Sequence, residues 1–281
     1  MNNENRAEFR QLENAPTLSA IECLQQHRGY RDSRGLFVIE GVRNFIQAVD
    51  HHFSVDTLLY SEKLLINPIA RKLVRRLKRA GVPFARVSPE QFRRVSRTER
   101  ASGVAAILRQ EVRQLDQVTL RPDDLWTAMS HIRSPGNLGT LMRTSAAVGA
   151  RGFILLGNSI DPFDPAVSRA TMGAMFRQTL VRTSIEKLVR WVRDHNVQVV
   201  GASPDGADDY RQSSYERPSL LMLGGERKGL TDEQRSVCDR IVRIPMIEGT
   251  DSLNVAIAGS LLLYEAFRSR SVEQILVPRE K

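Results

Sequence analysis

The stretch 252–270 places the narrowest demand on the fold. A helix there carries Leu253, Val255, Ile257, Leu261, Tyr264 and Phe267 among its side chains, and its first four turns are apolar almost all round. A helix packed on one side buries one stripe. This one must press on its own sheet and on something beyond it, and a partner subunit is one candidate.

The chain leading to that helix alternates. Strands are expected at 36–40, 56–61, 84–87 and 103–109. Between them lie helices at 16–26 and 42–50, one opened by Asn67-Pro68 and closed by Gly81, and one opened by Ser88-Pro89. A second series follows, with strands at 125–132, 153–157, 176–181, 197–203, 219–224 and 240–246. Its helices are expected at 138–148, 165–174, 184–195, 231–238 and 252–270. Alternation of this kind predicts an α/β fold with a mostly parallel sheet, and 281 residues suffice for two domains. The polar stretch 110–124, with Pro122, is the expected join. The division is then a small α/β domain over 1–113, a linker over 114–124 and a second α/β domain over 125–281.

Charge separates the two halves. The net charge is +9, and residues 1–113 hold 20 Lys+Arg against 12 Asp+Glu. Residues 114–281 hold 21 against 20, so nearly all the excess sits in the first domain. A basic module of this sort suits RNA phosphates as a partner. No apolar run approaches the roughly 20 residues of a membrane span. The polar start, MNNENRAEFRQLENAP, lacks the apolar core of a secretory signal, so a cytoplasmic location is expected. Cys23 and Cys238 stand alone, the histidines have no ligand-spaced partners, and no metal is expected.

Three segments carry chemistry. In HIRSPGNLGTLMRTSAAVG (131–149), Pro135-Gly136-Asn137 follows a strand, Asn137 suits a helix N-cap, and Arg143 lies within two turns of the helix start. Read alone, this is a capped helix with a solvated arginine. In LMLGGERKGLTDE (221–233), an apolar strand runs into Gly224-Gly225, then Glu226, Arg227-Lys228 and Gly229. Glycines at a strand end let a ligand lie against bare backbone. Leu230 stands where a phosphate-binding loop needs lysine, and no G-x-G-x-x-G occurs. In IPMIEGTDSLNVAIAGSLLLYE (244–265), a strand ends at Ile244-Pro245-Met246, Ser252 is placed to cap the apolar helix, and Asn254 is polar at its head. Asn254 either bonds nearby backbone or serves a site.

In order and spacing these segments resemble the signature blocks of the SpoU/TrmH-type ribose 2′-O-methyltransferases of the SPOUT superfamily. The blocks are Asn137-Gly139-Arg143, then Gly224-Glu226-Gly229-Leu230, then Ile244-Pro245-Met246 with Ser252-Leu253-Asn254-Val255. The residues RGLFVIEG (34–41) and SRTERASGVAAIL (96–108) resemble the L30e-type substrate-binding domain that precedes such catalytic domains.

The resemblance implies a deep trefoil knot in the C-terminal domain, a homodimer, and S-adenosylmethionine as cofactor. It implies backbone contacts to the cofactor from Gly224, Ile244 and Leu253 beside Leu223, with Met246 walling the adenine pocket. Arg143 would be essential to methyl transfer, and Asn137, Glu226, Ser252 and Asn254 would position substrate and loops. The implied substrate is RNA, ribosomal (23S) in preference to transfer RNA. The alternatives are a tRNA ribose methyltransferase, a base methyltransferase of the same superfamily, and a non-catalytic RNA-binding protein. Two departures from the family pattern make the site less acidic: Ser134 before Pro135, and Arg227-Lys228 after Glu226.

Overall fold

A computed structural model describes residues 17–216, 218–248 and 252–269. The chain divides into two compact units. Of the described residues, the first takes those up to Glu111 together with Asp161–Arg177, and the second takes Val112–Ile160 and those from Gln178 onward.

The first unit opens with helices α1 (17–26) and α2 (Arg28–Arg34). There follow β1 (Leu36–Glu40), α3 (Val42–Asp50), β2 (Val55–Tyr60), α4 (Pro68–Arg79), β3 (Phe84–Arg86), α5 (Pro89–Val95) and β4 (Val104–Arg109). The sheet order is β1-β4-β2-β3, antiparallel except for the β2–β3 edge. The predicted starts of α4 and α5 form as expected. The Asn67 side chain accepts from the Ala70 amide at 2.9 Å, and Ser88 and Gln91 close a reciprocal capping box. Ile21, Leu24, Phe92 and Val95 pack with Val38, Leu59 and Ile107 of the sheet as one buried cluster.

The segment 161–177 corrects the expectation of an unbroken second domain from residue 125. Its helix α7 (Pro165–Thr171) lies on β1. Phe163 meets Phe37 with ring centres 4.8 Å apart, and Phe176 meets Phe53 at 4.9 Å. Arg31, 2% exposed, pairs with Asp161. Two aromatic anchors and a buried ion pair hold this excursion in the first unit. Chain continuity does not decide its membership.

The second unit is a seven-stranded sheet whose pairings are all parallel, in the order β7-β6-β5-β10-β8-β11-β9. Its strands are β5 (Leu125–Met129), β6 (Gly152–Leu156), β7 (Thr179–Thr183), β8 (Gln198–Ala202), β9 (Asp208–Asp209), β10 (Ser219–Leu223) and β11 (Arg240–Arg243). The helices are α6 (Pro135–Ala147), α8 (Ile185–Asp194), α9 (Asp232–Val237) and α10 (Val255–Arg268). β5, β6 and β10 are buried at every position, as strands of a parallel sheet covered on both faces must be. The polar stretch 114–124 does not hang between units. Leu115 is buried in the core of this one with Val118 and Leu120 against it, and Arg113 pairs beside Val181. No helix among the described residues is long and apolar enough to cross a membrane.

Two helix starts differ from expectation. α6 begins at Pro135, and its cap is Ser134, whose hydroxyl accepts from the Asn137 amide; Asn137 therefore lies inside the first turn. α10 begins at Val255 and is capped by Asn254 in place of Ser252. The buried face of α10 lies on α6. A side-chain carbon on Gly259 would come within 2.5 Å of a Leu141 methyl and 2.8 Å of a Leu223 methyl, so the glycine lets these two leucines lie against the helix backbone. Thr144 and Ser260 join the two helices by a hydroxyl hydrogen bond of 2.9 Å.

Candidate active site

Parallel strands put their C-terminal ends on one side of a sheet, and ligands of open α/β folds bind there, where strand order reverses. In this sheet β10 sits between β5, which leads outward to β6 and β7, and β8, which leads to β11. The three chemical segments leave the sheet at this place. So does a fourth, Ser203–Asp205 after β8.

Beyond β10 the chain makes a tight turn. Gly225 and Gly229 exchange two backbone hydrogen bonds of 2.9 Å, and Gly229 takes φ 64°. A side-chain carbon on Gly224 would fall 2.1 Å from the Gly229 carbonyl carbon and 2.4 Å from the Leu230 nitrogen, so the two backbone strands touch here. The turn leaves Arg227 and Lys228 exposed at its tip.

Glu226, at the base of that turn, is tied to the other two segments. The Asn254 Oδ1 accepts from the amides of Ala256 (2.8 Å) and Ile257 (3.4 Å). Its Nδ2 is then left to donate, and it donates to Asn137 Oδ1 at 3.1 Å. Asn137 consequently turns its own Nδ2 to Glu226 Oε1, at 2.6 Å, while the Arg133 amide donates to Glu226 Oε2 at 3.3 Å. Capping α10 thus sets the direction of every bond in the relay.

A cavity of about 390 Å³ opens beside the relay. Leu223, Gly224, Glu226, Ile244, Met246, Ser252 and Leu253, all singled out in the sequence, line it. Asn137 and Asn254 join it through Glu226. Arg143 does not line it; it stands exposed on α6 with no hydrogen-bond or ion-pair partner among the described residues.

Sequence reasoning missed Ser203, Asp205 and Arg235, which line the same cavity. The Arg235 guanidinium reaches both Asp205 oxygens, at 2.8 and 3.0 Å, and the Ser203 hydroxyl at 2.9 Å; that hydroxyl also bonds Asp205. The Ser203 hydroxyl, and next to it Arg235, hold the Asp205 carboxyl below the usual carboxylate range. A polar Ser-x-Asp at a strand end was the available signal.

The SpoU rRNA methylase family profile matches residues 124–264, and that of the MRM3-like substrate binding domain matches residues 16–106. The chain belongs to the SpoU rRNA methylase family. It is similar to the 23S rRNA (uridine(2479)-2′-O)-methyltransferase of Streptomyces viridochromogenes, with 32% identity over 89% of this chain and 88% of the relative. The AdoMet-bound rRNA methyltransferase of Sinorhizobium meliloti superposes with a TM-score of 0.83, at 33% identity over 90% of this chain and 94% of that one. The SpoU methyltransferase AviRb from Streptomyces viridochromogenes, in complex with AdoMet, superposes with a TM-score of 0.81 at 31% identity over 90% and 97%.

S-adenosylmethionine is the methyl donor of this SpoU chain, and the cavity fits it. The volume lies in the roughly 300–1,000 Å³ range of small-molecule sites, and bare backbone at Gly224 and apolar walls at Leu223, Ile244 and Leu253 suit a nucleoside.

Proposed function

We propose that this SpoU protein methylates a ribose 2′-hydroxyl of 23S ribosomal RNA, as a cytoplasmic homodimer. The Asn254–Asn137–Glu226 relay carries the reading, because it joins the three family blocks at the rim of one cavity.

The cofactor supplies an electrophilic methyl carbon on a sulfonium, a leaving group that needs no acid. The chain must align the ribose oxygen with that carbon and ease loss of its proton. Gly224, Ile244 and Leu253 offer backbone to the cofactor, with Leu223 and Met246 beside them. Glu226, fixed by Asn137 and the Arg133 amide, holds the turn that bounds the cavity. Arg143, unpartnered, is available to a substrate phosphate or to the negative charge growing on the ribose oxygen. A guanidinium stays protonated, so its part is electrostatic, and the group that receives the proton is left unassigned. The C-terminal chain is knotted as in the family. The basic first unit presents the RNA.

The dimer reading rests on α10. Its outward side keeps Ile257, Leu261 and Tyr264 at 52%, 39% and 54% exposure, a helical stripe of the kind a second copy covers. The test of function is unmodified 23S RNA incubated with protein and labelled cofactor, followed by alkaline hydrolysis. A methyl on the ribose blocks cleavage at its own linkage and leaves a labelled alkali-resistant dinucleotide; label recovered on mononucleotides refutes the ribose target.

A further inference from the structure

The first unit carries a charged surface that the site does not use. Helix α4 reads PIARKLVRRLKR, with six basic residues and no acidic one. At about 100° per residue, Arg71, Lys72, Arg75, Arg76 and Arg79 fall within an arc of roughly 140°, opposite the buried Ala70, Leu73 and Val74. All five are exposed. Lys72, Arg75, Arg76 and Arg79 have no hydrogen-bond or ion-pair partner among the described residues, and Glu62, close by in the chain, is taken by Arg86 at 2.5 Å. Three pairs on this face, Arg71–Arg75, Lys72–Arg76 and Arg75–Arg79, set like charges one turn apart, which weakens an isolated helix. The surface helix α8, IEKLVRWVRD, instead mixes acidic with basic residues. Solubility alone does not account for an unmixed stripe.

Aromatic surface lies beside the stripe. Lys78 sits 4.2 Å over the Phe84 ring and donates to the Tyr60 hydroxyl at 2.9 Å. Phe84, on edge strand β3, remains 48% exposed. Cations on successive turns, with a half-exposed ring alongside, match a phosphodiester chain carrying bases that can stack. An acidic protein would supply counter-charges but has no use for the regular repeat.

We infer that the exposed face of α4 is a phosphate-gripping surface that docks the RNA substrate apart from the methyl-transfer cavity. The inference rests on the RNA reading proposed above. It makes α4 a determinant of RNA affinity with no part in cofactor binding or chemistry.

The test uses the full chain with Lys72, Arg75 and Arg79 all changed to alanine, a residue that favours helix. A control carries Lys187→Ala, Arg190→Ala and Arg193→Ala on α8, which removes the same charge. Binding to an unmodified 23S RNA transcript is followed across salt, methyl transfer across RNA concentration, and S-adenosylmethionine binding by calorimetry. The α4 variant is expected to bind RNA about tenfold or more weakly at low salt. Its plot of log K against log salt is expected to flatten by about 2, from three contacts at roughly 0.7–0.9 each. KM for RNA rises, kcat at saturating RNA holds, and cofactor affinity does not move. Restoring lysine at 72, 75 and 79 recovers binding. If the α4 variant matches wild type in slope and KM, or if the α8 control loses as much, the α4 surface is refuted while the function stands. A wild-type protein that neither binds nor methylates the transcript refutes the ribosomal substrate, and this surface with it.

Discussion

Asn254 does two jobs with two ends of one amide, and Asn254→Asp separates them. Aspartate caps a helix as well as asparagine does, and its charge at a helix N-terminus adds roughly 0.3–1 kcal/mol. The bonds from the Ala256 and Ile257 amides therefore survive. The donor to Asn137 does not, and an oxygen faces the Asn137 Oδ1 from 3.1 Å. A hydrogen bond of this kind contributes about 0.5–1.5 kcal/mol net, and repulsion between the two oxygens adds to the loss by drawing Asn137 off Glu226. About 1.5–3 kcal/mol of lost positioning corresponds to a drop of roughly 10- to 160-fold in kcat/KM. Asn254→Ala loses the relay and the cap together, so it shows the same fall in activity. It also loses about 1 kcal/mol of stability, which for a unit this size lowers Tm by roughly 2–4 °C. Single-turnover methyl transfer and thermal unfolding of both variants decide the matter. If Asn254→Asp keeps wild-type kcat/KM, the relay transmits nothing. If it melts with Asn254→Ala, cap and relay are not separable.

Arg143→Ala, which removes an exposed and unpartnered side chain, is expected to abolish methyl transfer with stability changed by less than about 0.5 kcal/mol and cofactor affinity retained; near-normal turnover refutes its role. Gly224→Ala puts a carbon 2.1 Å from the Gly229 carbonyl carbon, and the shift this forces, at about 1–3 kcal/mol, should weaken cofactor binding about tenfold or more by calorimetry; an unchanged Kd contradicts it. Leu261→Asp charges the outward stripe of α10 and should give a monomer by light scattering, and a mass equal to wild type counts against that face as the dimer interface. The Cys238 thiol, pushed up to about 12 by burial, is about one part in ten thousand thiolate at pH 8; iodoacetamide should leave it unlabelled in the folded protein, and labelling within minutes defeats the assignment.

Most strand positions were legible because buried parallel strands announce themselves as short apolar runs between turn residues. Helix starts were less so. Ser134 and Asn137 are both good caps, and the observed choice follows Pro135, whose missing N–H and fixed φ suit the first helical position. The membership of 161–177 was illegible for a different reason. Phe163 and Phe176 declare that they must be buried, but not which core receives them. Asp205 and Arg235 are 30 residues apart and meet only because β8 and α9 are neighbours in space. A pairing of that kind leaves no periodicity in the chain.

The candidate site shows why its blocks are weak one at a time. Each polar residue has a sufficient local explanation: Asn254 caps, Asn137 sits in a first turn, Glu226 accepts backbone at a turn. Capping at 254 needs only an acceptor, which Ser, Thr or Asp would also supply. The relay needs an acceptor and a donor on two separate atoms of one short side chain; a serine or threonine hydroxyl holds both on a single oxygen, and asparagine alone among the good caps divides them between two atoms. Asn137 meets the same demand, taking one hydrogen bond and giving one. Local structure accounts for the residue class at these positions, and the site accounts for which member of the class stands there.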